Sequence, residues 1–199
     1  MITYHNIEQG SPEWFELKAD KMSASNATAI GANGDGLVTL CKGIVNNILK
    51  VNEEEGYTNS IMDRGVRLEP VARIGYELKT GLKVNEIGFV TNNKYKNVGA
   101  SPDGLIGNDG GCEIKARNAI KHLSLILGET KEIPFNQIQM SLLITEREWW
   151  DFVSFNPNHK NPLFIKRIYP DMVYFEKLKK GFEKGNELIK KYLDIYNNY

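Results

Sequence analysis

Residues 98–116 read Val-Gly-Ala-Ser-Pro-Asp-Gly-Leu-Ile-Gly-Asn-Asp-Gly-Gly-Cys-Glu-Ile-Lys-Ala. Val98–Ser101 and Cys112–Ala116 have the composition of short strands, and Leu105-Ile106 continues after Asp103-Gly104. A turn at Pro102 to Gly104 is expected to join two adjacent strands. The chain then returns as a hairpin through Gly107, Gly110 and Gly111. Asp103 stands near the start of one strand and Glu113 inside its neighbour. Neighbouring strands lie about 4.8 Å apart, so the two carboxylates can converge on one cation. Glu113 and Lys115 are two apart and project from one face, and Ile114 projects to the other as core. Oxygen ligation of this kind suits Mg²⁺ or Mn²⁺ better than Zn²⁺. A divalent cation there would bind a phosphodiester oxygen and acidify a water. Lys115 would orient that water or stabilise charge on phosphorus. The pattern points to phosphodiester hydrolysis. Asp-Gly alone is a common turn, and Glu-x-Lys alone is common on exposed strands; their combination at hairpin distance carries the reading.

Outward from this segment the sequence reads as α/β. Ser11-Pro12 signals a helix start, with a short helix through Trp14, Leu17 and Lys18. Ser23-Ala24-Ser25-Asn26 looks like a second start, and Gly31 to Gly36 like a surface loop without a phosphate-cradling fingerprint. Residues 38–50 have helical spacing, closed by Glu53-Glu54-Glu55-Gly56. Residues 60–79 are helical again, with Val71, Ile74 and Leu78 as apolar positions and Gly81 as a stop. Pro70 must start a second helix there or kink one. Ile87–Thr91 is a strand candidate; Asn118 caps a helix to Leu127, and Pro134 opens one to about Ile144. Glu148–Phe155 and Leu163–Tyr169 are strong strands, and Asp171 caps a last helix to about Tyr196. The expected fold is a single domain over 1–199, with a mixed central β-sheet flanked by helices. N-terminal helices occupy 11–80, the catalytic core 81–170 and a C-terminal helix 171–197.

Composition narrows the function classes. The 199 residues carry 25 basic and 25 acidic side chains, so no global charge draws the chain to nucleic acid. No apolar run is long enough to span a membrane, and the N-terminus has no signal-peptide pattern. Two cysteines, Cys41 and Cys112, make neither a disulfide framework nor a four-thiolate cluster, and both read as core thiols. A reducing, cytoplasmic location is the expectation. His5, His122 and His159 have no metal-ligand spacing. Trp149 and Trp150 should face opposite sides of a strand, both buried. Lys177 to Lys191 holds six lysines and is locally basic, a solvated helix face or a DNA-facing one.

Pro102-Asp103 with Glu113-Ile114-Lys115 resembles the PD-(D/E)xK nuclease signature. The blocks around it are similar to the lambda exonuclease family, the YqaJ-like viral recombinases. They are Gln9-Gly10-Ser11 with Trp14, Leu17 and Lys18; Ser23-Ala24-Ser25; Gly65 with Glu69-Pro70; Gly99 to Leu105; and Gln137-Ile138-Gln139. They occur in the family's order over roughly residues 9 to 155. The resemblance implies a restriction-endonuclease-like core and a Mg²⁺-dependent exonuclease, with Mn²⁺ as a substitute. It would act 5′ to 3′ on linear double-stranded DNA and leave 3′ single strands for phage-type recombination in a bacterial host cytoplasm. Asp103, Glu113 and the Ile114 carbonyl would hold the metal, with Glu69 reaching it from a helix. Lys115 would be the catalytic lysine and Gln137 the active-site glutamine. Trp14, Lys18, Ser25 and Ser101 would bind the 5′-phosphate end. A homotrimer and a single-strand annealing protein would be the partners, and no membrane. From the residues alone, Glu69 reads rather as a surface partner of Arg73, Gln139 competes with Gln137, and Ser25 reads equally as a helix cap. A structure-selective endonuclease and a non-catalytic DNA-binding protein on the same core stay open.

Overall fold

Local chemistry sets most of the helix ends. Ser11 accepts from the Trp14 N–H with Pro12 in the first turn, Asn118 accepts from Lys121, and Asp171 accepts from Tyr174. Gly81, at φ 73°, closes the long central helix. A computed structural model of the chain describes residues 1–51 and 60–199. The run Glu53-Glu54-Glu55-Gly56, expected to close the 38–50 helix, lies outside the described residues.

The elements are β1 (Ile2–His5), α1 (Pro12–Ala19), β2 (Met22–Ser23), a 3-10 turn at Ala24–Asn26, α2 (Ala27–Ala32), α3 (Asp35–Ile48) and α4 (Ser60–Thr80). Then come β3 (Val84–Asn85), β4 (Phe89–Asn92), β5 (Val98–Ala100), β6 (Gly104–Ile106) and β7 (Gly110–Ala116). The chain ends with α5 (Ala119–Ile126), α6 (Phe135–Thr145), β8 (Trp149–Phe155), β9 (Leu163–Ile168) and α7 (Met172–Asn197).

The class is mixed α/β, as expected, but the strands divide into two sheets. One has the order β1-β4-β5-β2, the other β3-β6-β7-β8-β9. The division falls at Pro102-Asp103. β5 belongs to the first sheet and β6 to the second, so this segment crosses between sheets and does not join adjacent strands. The hairpin comes one step later, where β6 and β7 pair antiparallel with Gly104 opposite Cys112. β7 is the middle strand of its sheet and pairs in parallel with β8, Glu113 opposite Phe152. Glycine is required at the start of β7. A Cβ at Gly110 or Gly111 would strike the indole of Trp149 or Trp150 on the neighbouring strand.

The two tryptophans separate two cores. Trp150 packs with Ile30, Leu37, Ile138, Leu142 and Leu178 in the larger one. Trp149 packs with Ala72, Tyr76, Cys112, Ile114 and Val153 in the smaller one, between the second sheet and α4. Helix α6 is buried continuously from Ile138 to Thr145, without the polar stripe of a surface helix, because it is enclosed on all sides. Cys41 and Cys112 are both buried, as expected.

Three expectations change. Gly31 to Gly36 is not a loop: α2 runs to Ala32, Asn33 closes it in the left-handed region at φ 56°, and Gly34 opens α3. On α4, Val71, Ile74 and Leu78 face outward, and among the described residues the buried positions are Ala72 and Tyr76. The helix also runs on through Pro70, which leaves the Val66 carbonyl without its helical donor.

Candidate active site

The crossover and the hairpin together bring Asp103 to Glu113. Asp103 precedes β6 directly, and its Oδ2 accepts the Ile114 N–H at 2.6 Å, which fixes the crossing segment onto β7. Gln9 holds the same segment from outside, donating to the Pro102 carbonyl at 2.8 Å. Glu113 is fully buried. Its Oε1 lies 2.6 Å from Lys115 Nζ and accepts from Gln137 Nε2 at 2.6 Å. Its Oε2 is buried and has no hydrogen-bond partner among the described residues. Ile114 points to the opposite face and packs in the smaller core.

Gln137 therefore reaches the site from α6, whereas Gln139 is fully buried elsewhere, donating to the Tyr169 carbonyl and accepting from the Asp171 N–H. Burial, then the charge of Asp103, pushes Glu113 up to about 7, against the pull of Lys115. Burial pushes Asp103 up as well, while Lys115 and the Ile114 N–H draw it back. The Glu113 charge holds the Lys115 ammonium well above its ordinary value despite its burial.

Glu69 sits on α4 within electrostatic reach of this group. Burial and Asp103 raise it; Arg73 and Lys115 oppose them. Its carboxylate is bound to Arg73 at 3.0 Å, the i, i+4 pairing visible in the sequence. Arg73 also pairs with Glu86 and so joins α4 to the segment after β3. Arg73 was legible in the sequence only as a helix-surface partner; its position beside the carboxylates depends on the tertiary fold.

A broad cleft of about 1290 Å³ opens on the Asp103 and Glu69 side, with Arg73, Trp14, Lys18 and Ser23 also in its walls. Trp14 is half-buried; its indole N–H donates to the Gly88 carbonyl and to Ser101 Oγ, each at 3.0 Å. Lys18 Nζ lies 4.2 Å from the Trp14 ring, and burial lowers its pKa. Trp14, Lys18 and Ser101 thus meet. Ser25 is exposed and joins them less directly, through a 2.9 Å bond to Ser23. Ser25 makes no side-chain cap: Ser23 holds the N-cap position and also lacks one.

The donor set suits a hard divalent cation. The unpartnered Glu113 Oε2, the adjacent Asp103 carboxylate and the Ile114 carbonyl offer oxygen alone. Among the described residues no three His, Cys, Asp or Glu side chains stand close enough to ligate one ion. Two carboxylates, a main-chain carbonyl and water match the way Mg²⁺ is bound, since it retains several waters.

Residues 13–148 match the model of the YqaJ-like viral recombinase domain. The chain belongs to that family. This YqaJ-like chain resembles the crystal structure of an alkaline exonuclease, LHK-Exo, from Laribacter hongkongensis, at 27% identity and TM-score 0.86, over 94% of this chain and 97% of that one. The same enzyme in complex with dAMP matches equally well, at TM-score 0.86 and 27% identity over 94% and 97%. A phage-related exonuclease from Haemophilus somnus 129PT matches at TM-score 0.67 and 13% identity, over 88% of this chain and 96% of that one, which shows the shared fold. None of the curated protein sequences compared with the YqaJ-like chain matches it. No helix among the described residues is long and apolar enough to cross a membrane.

Proposed function

We propose that this protein is a Mg²⁺-dependent exonuclease. It degrades one strand of linear double-stranded DNA from the 5′ end and leaves a 3′ single strand. The observation that carries this reading is the Glu113 carboxylate, with one oxygen bound by Lys115 and Gln137 and the other buried and unpaired beside Asp103.

Asp103, Glu113 and the Ile114 carbonyl would hold the cation, Mg²⁺ or in its place Mn²⁺. When bound, the cation would polarise a phosphoryl oxygen and lower the pKa of a water. Lys115 Nζ, 2.6 Å from Glu113 Oε1, would orient the attacking water and offset charge growing on the phosphate. Gln137 fixes the rotamer of Glu113 by its amide N–H. Glu69 gives one oxygen to Arg73, and from α4 its carboxylate would also help to hold the cation. Trp14, Lys18, Ser25 and Ser101 would receive the terminal nucleotide: the Trp14 ring by stacking, the ammonium and hydroxyls by binding its 5′-phosphate. Lys18 supplies a point charge in place of an arginine fork.

The family resemblance supports a homotrimer closed around DNA and a single-strand annealing protein as partner. A ring would hold duplex without a net positive charge. LHK-Exo, the alkaline exonuclease similar to this chain, supports the exonuclease reading. The test compares linear with closed circular duplex in Mg²⁺. Only the linear form should be degraded, and Asp103→Ala or Glu113→Ala should abolish degradation without unfolding the protein. Nicking of the circle would replace the reading with an endonuclease, and full activity of either variant would remove the metal-site assignment.

A further inference from the structure

Glu113, Lys115 and Arg117 alternate along β7 with Ile114 and Ala116. The main-chain N–H of Arg117 still bonds the Phe155 carbonyl at 3.1 Å, so strand register extends to this residue and the three side chains form one row. Positions two apart on a strand are about 6.6 Å apart, similar to the spacing of successive phosphates along a nucleic-acid strand. Arg117 is held firmly. Its Nη2 donates to the Glu132 carbonyl at 2.6 Å. Its own carbonyl accepts from Arg64 Nη2 at 3.1 Å and Asn156 Nδ2 at 2.9 Å, and Arg64 Nη1 donates to the Ala116 carbonyl at 3.0 Å. Among the described residues all the acceptors of these two arginines are neutral carbonyls. Among the described residues neither forms an ion pair, and Arg117 Nε is buried without a partner. The charges of Glu132 and Glu113 act on Arg117 from a distance, but a guanidinium fixed in place with no carboxylate in contact can still receive an anion.

The cleft with Trp14 and Lys18 opens beside Asp103 and Glu69, and Lys115 and Arg117 do not line it. Arg117 stands at the other end of the row. On the nuclease reading above, on which this inference rests, the cleft takes the strand end, so the opposite end of the row meets the interior of the same strand. We propose that Arg117 binds the backbone phosphate next to the scissile one on its interior side. Arg64, reaching from α4, is a positioning residue that holds the end of β7.

The test measures single-turnover release of the first nucleotide from linear duplex. The phosphate between the second and third nucleotides is either natural or a neutral methylphosphonate. Wild type should lose roughly 10- to 100-fold in rate at low substrate on the neutral linkage, the size of one charge-assisted hydrogen bond. Arg117→Gln should show that loss already on natural DNA and little further loss on the neutral linkage. Arg117→Lys should retain part of the wild-type sensitivity, and Arg64→Gln should be slower yet still sensitive. Equal sensitivity of wild type, Arg117→Gln and Arg117→Lys would overturn the assignment. Should Arg117→Gln not fold, unaltered sensitivity of Arg117→Lys would overturn it alone. Failure of wild type to cut natural DNA would instead overturn the nuclease reading.

Discussion

Glu113 is a buried carboxylate with one oxygen held by both Lys115 and Gln137 and the other without a hydrogen-bond partner among the described residues. Its pKa rises from an ordinary 4.5 to about 7 on folding. Between those values the folded chain holds a proton that the unfolded chain has lost. Without metal, stability should therefore fall as pH rises from about 4.5 to 7 and level off above. Thermal melts in chelator should show this fall. Glu113→Gln should lessen it, with Asp103 and Glu69, also raised by burial, keeping the remainder; it should raise Tm at pH 8 by several degrees and remove the Tm gain on adding Mg²⁺. A Gln variant less stable than wild type at pH 8 would contradict this account of the site. At the end pocket, Lys18→Ala should reduce the preference for 5′-phosphorylated over 5′-hydroxyl ends, measured as a ratio of initial rates; an unchanged ratio would remove Lys18 from the pocket. Asp103, Glu113 and Lys115 were legible in the sequence because one hairpin and one strand face bring them together. Choosing Gln137 over Gln139 from residues alone needed the direction in which α6 faces the sheet, a tertiary fact. Arg117 gave no signal, since an arginine after a strand looks the same whether solvated or fixed.

Helix ends were the most legible features at the scale of the element, because Ser11, Asn118 and Asp171 cap by bonds to N–H groups three residues on. The division into two sheets was hidden. β2 and β3 have two residues each, too few for any periodicity, and β1 has four. The buried face of α4 was hidden too. Its core contacts are Ala72 and Tyr76, while the apolar Val71, Ile74 and Leu78 turn outward. Tyr76 is selected by a partner distant in sequence: its hydroxyl donates to Asp151 Oδ2 at 2.7 Å, and Arg167 binds the same carboxylate through two nitrogens at 2.9 Å. Packing of α7 on α2 is equally specific. A Cβ at Gly181 would strike the Ile30 carbonyl oxygen, a backbone atom that cannot rotate away. Gly181→Ala should therefore destabilise the protein by about 2 kcal/mol or more, read as a lower urea midpoint at constant m-value. A neutral or stabilising result would mean that α7 shifts freely on α2.

The whole chain is neutral, so in the proposed function its hold on DNA would come from placement of charge and from enclosure. Val71, Ile74 and Leu78 of α4 and Ile120 and Leu123 of α5 are exposed apolar residues, which in the proposed ring would offer surface for contact between copies. Sedimentation should show an oligomer, expected to be a trimer; a strict monomer at micromolar concentration would remove enclosure from the account. The central claim is directional degradation from a phosphorylated end. Its most direct test is linear duplex with a 5′-phosphate on one strand only, incubated with Mg²⁺ and resolved strand by strand. The account predicts early loss of the phosphorylated strand, with its complement left as a 3′-ended single strand. Loss of both strands at equal rates, or of the unphosphorylated strand first, would contradict it.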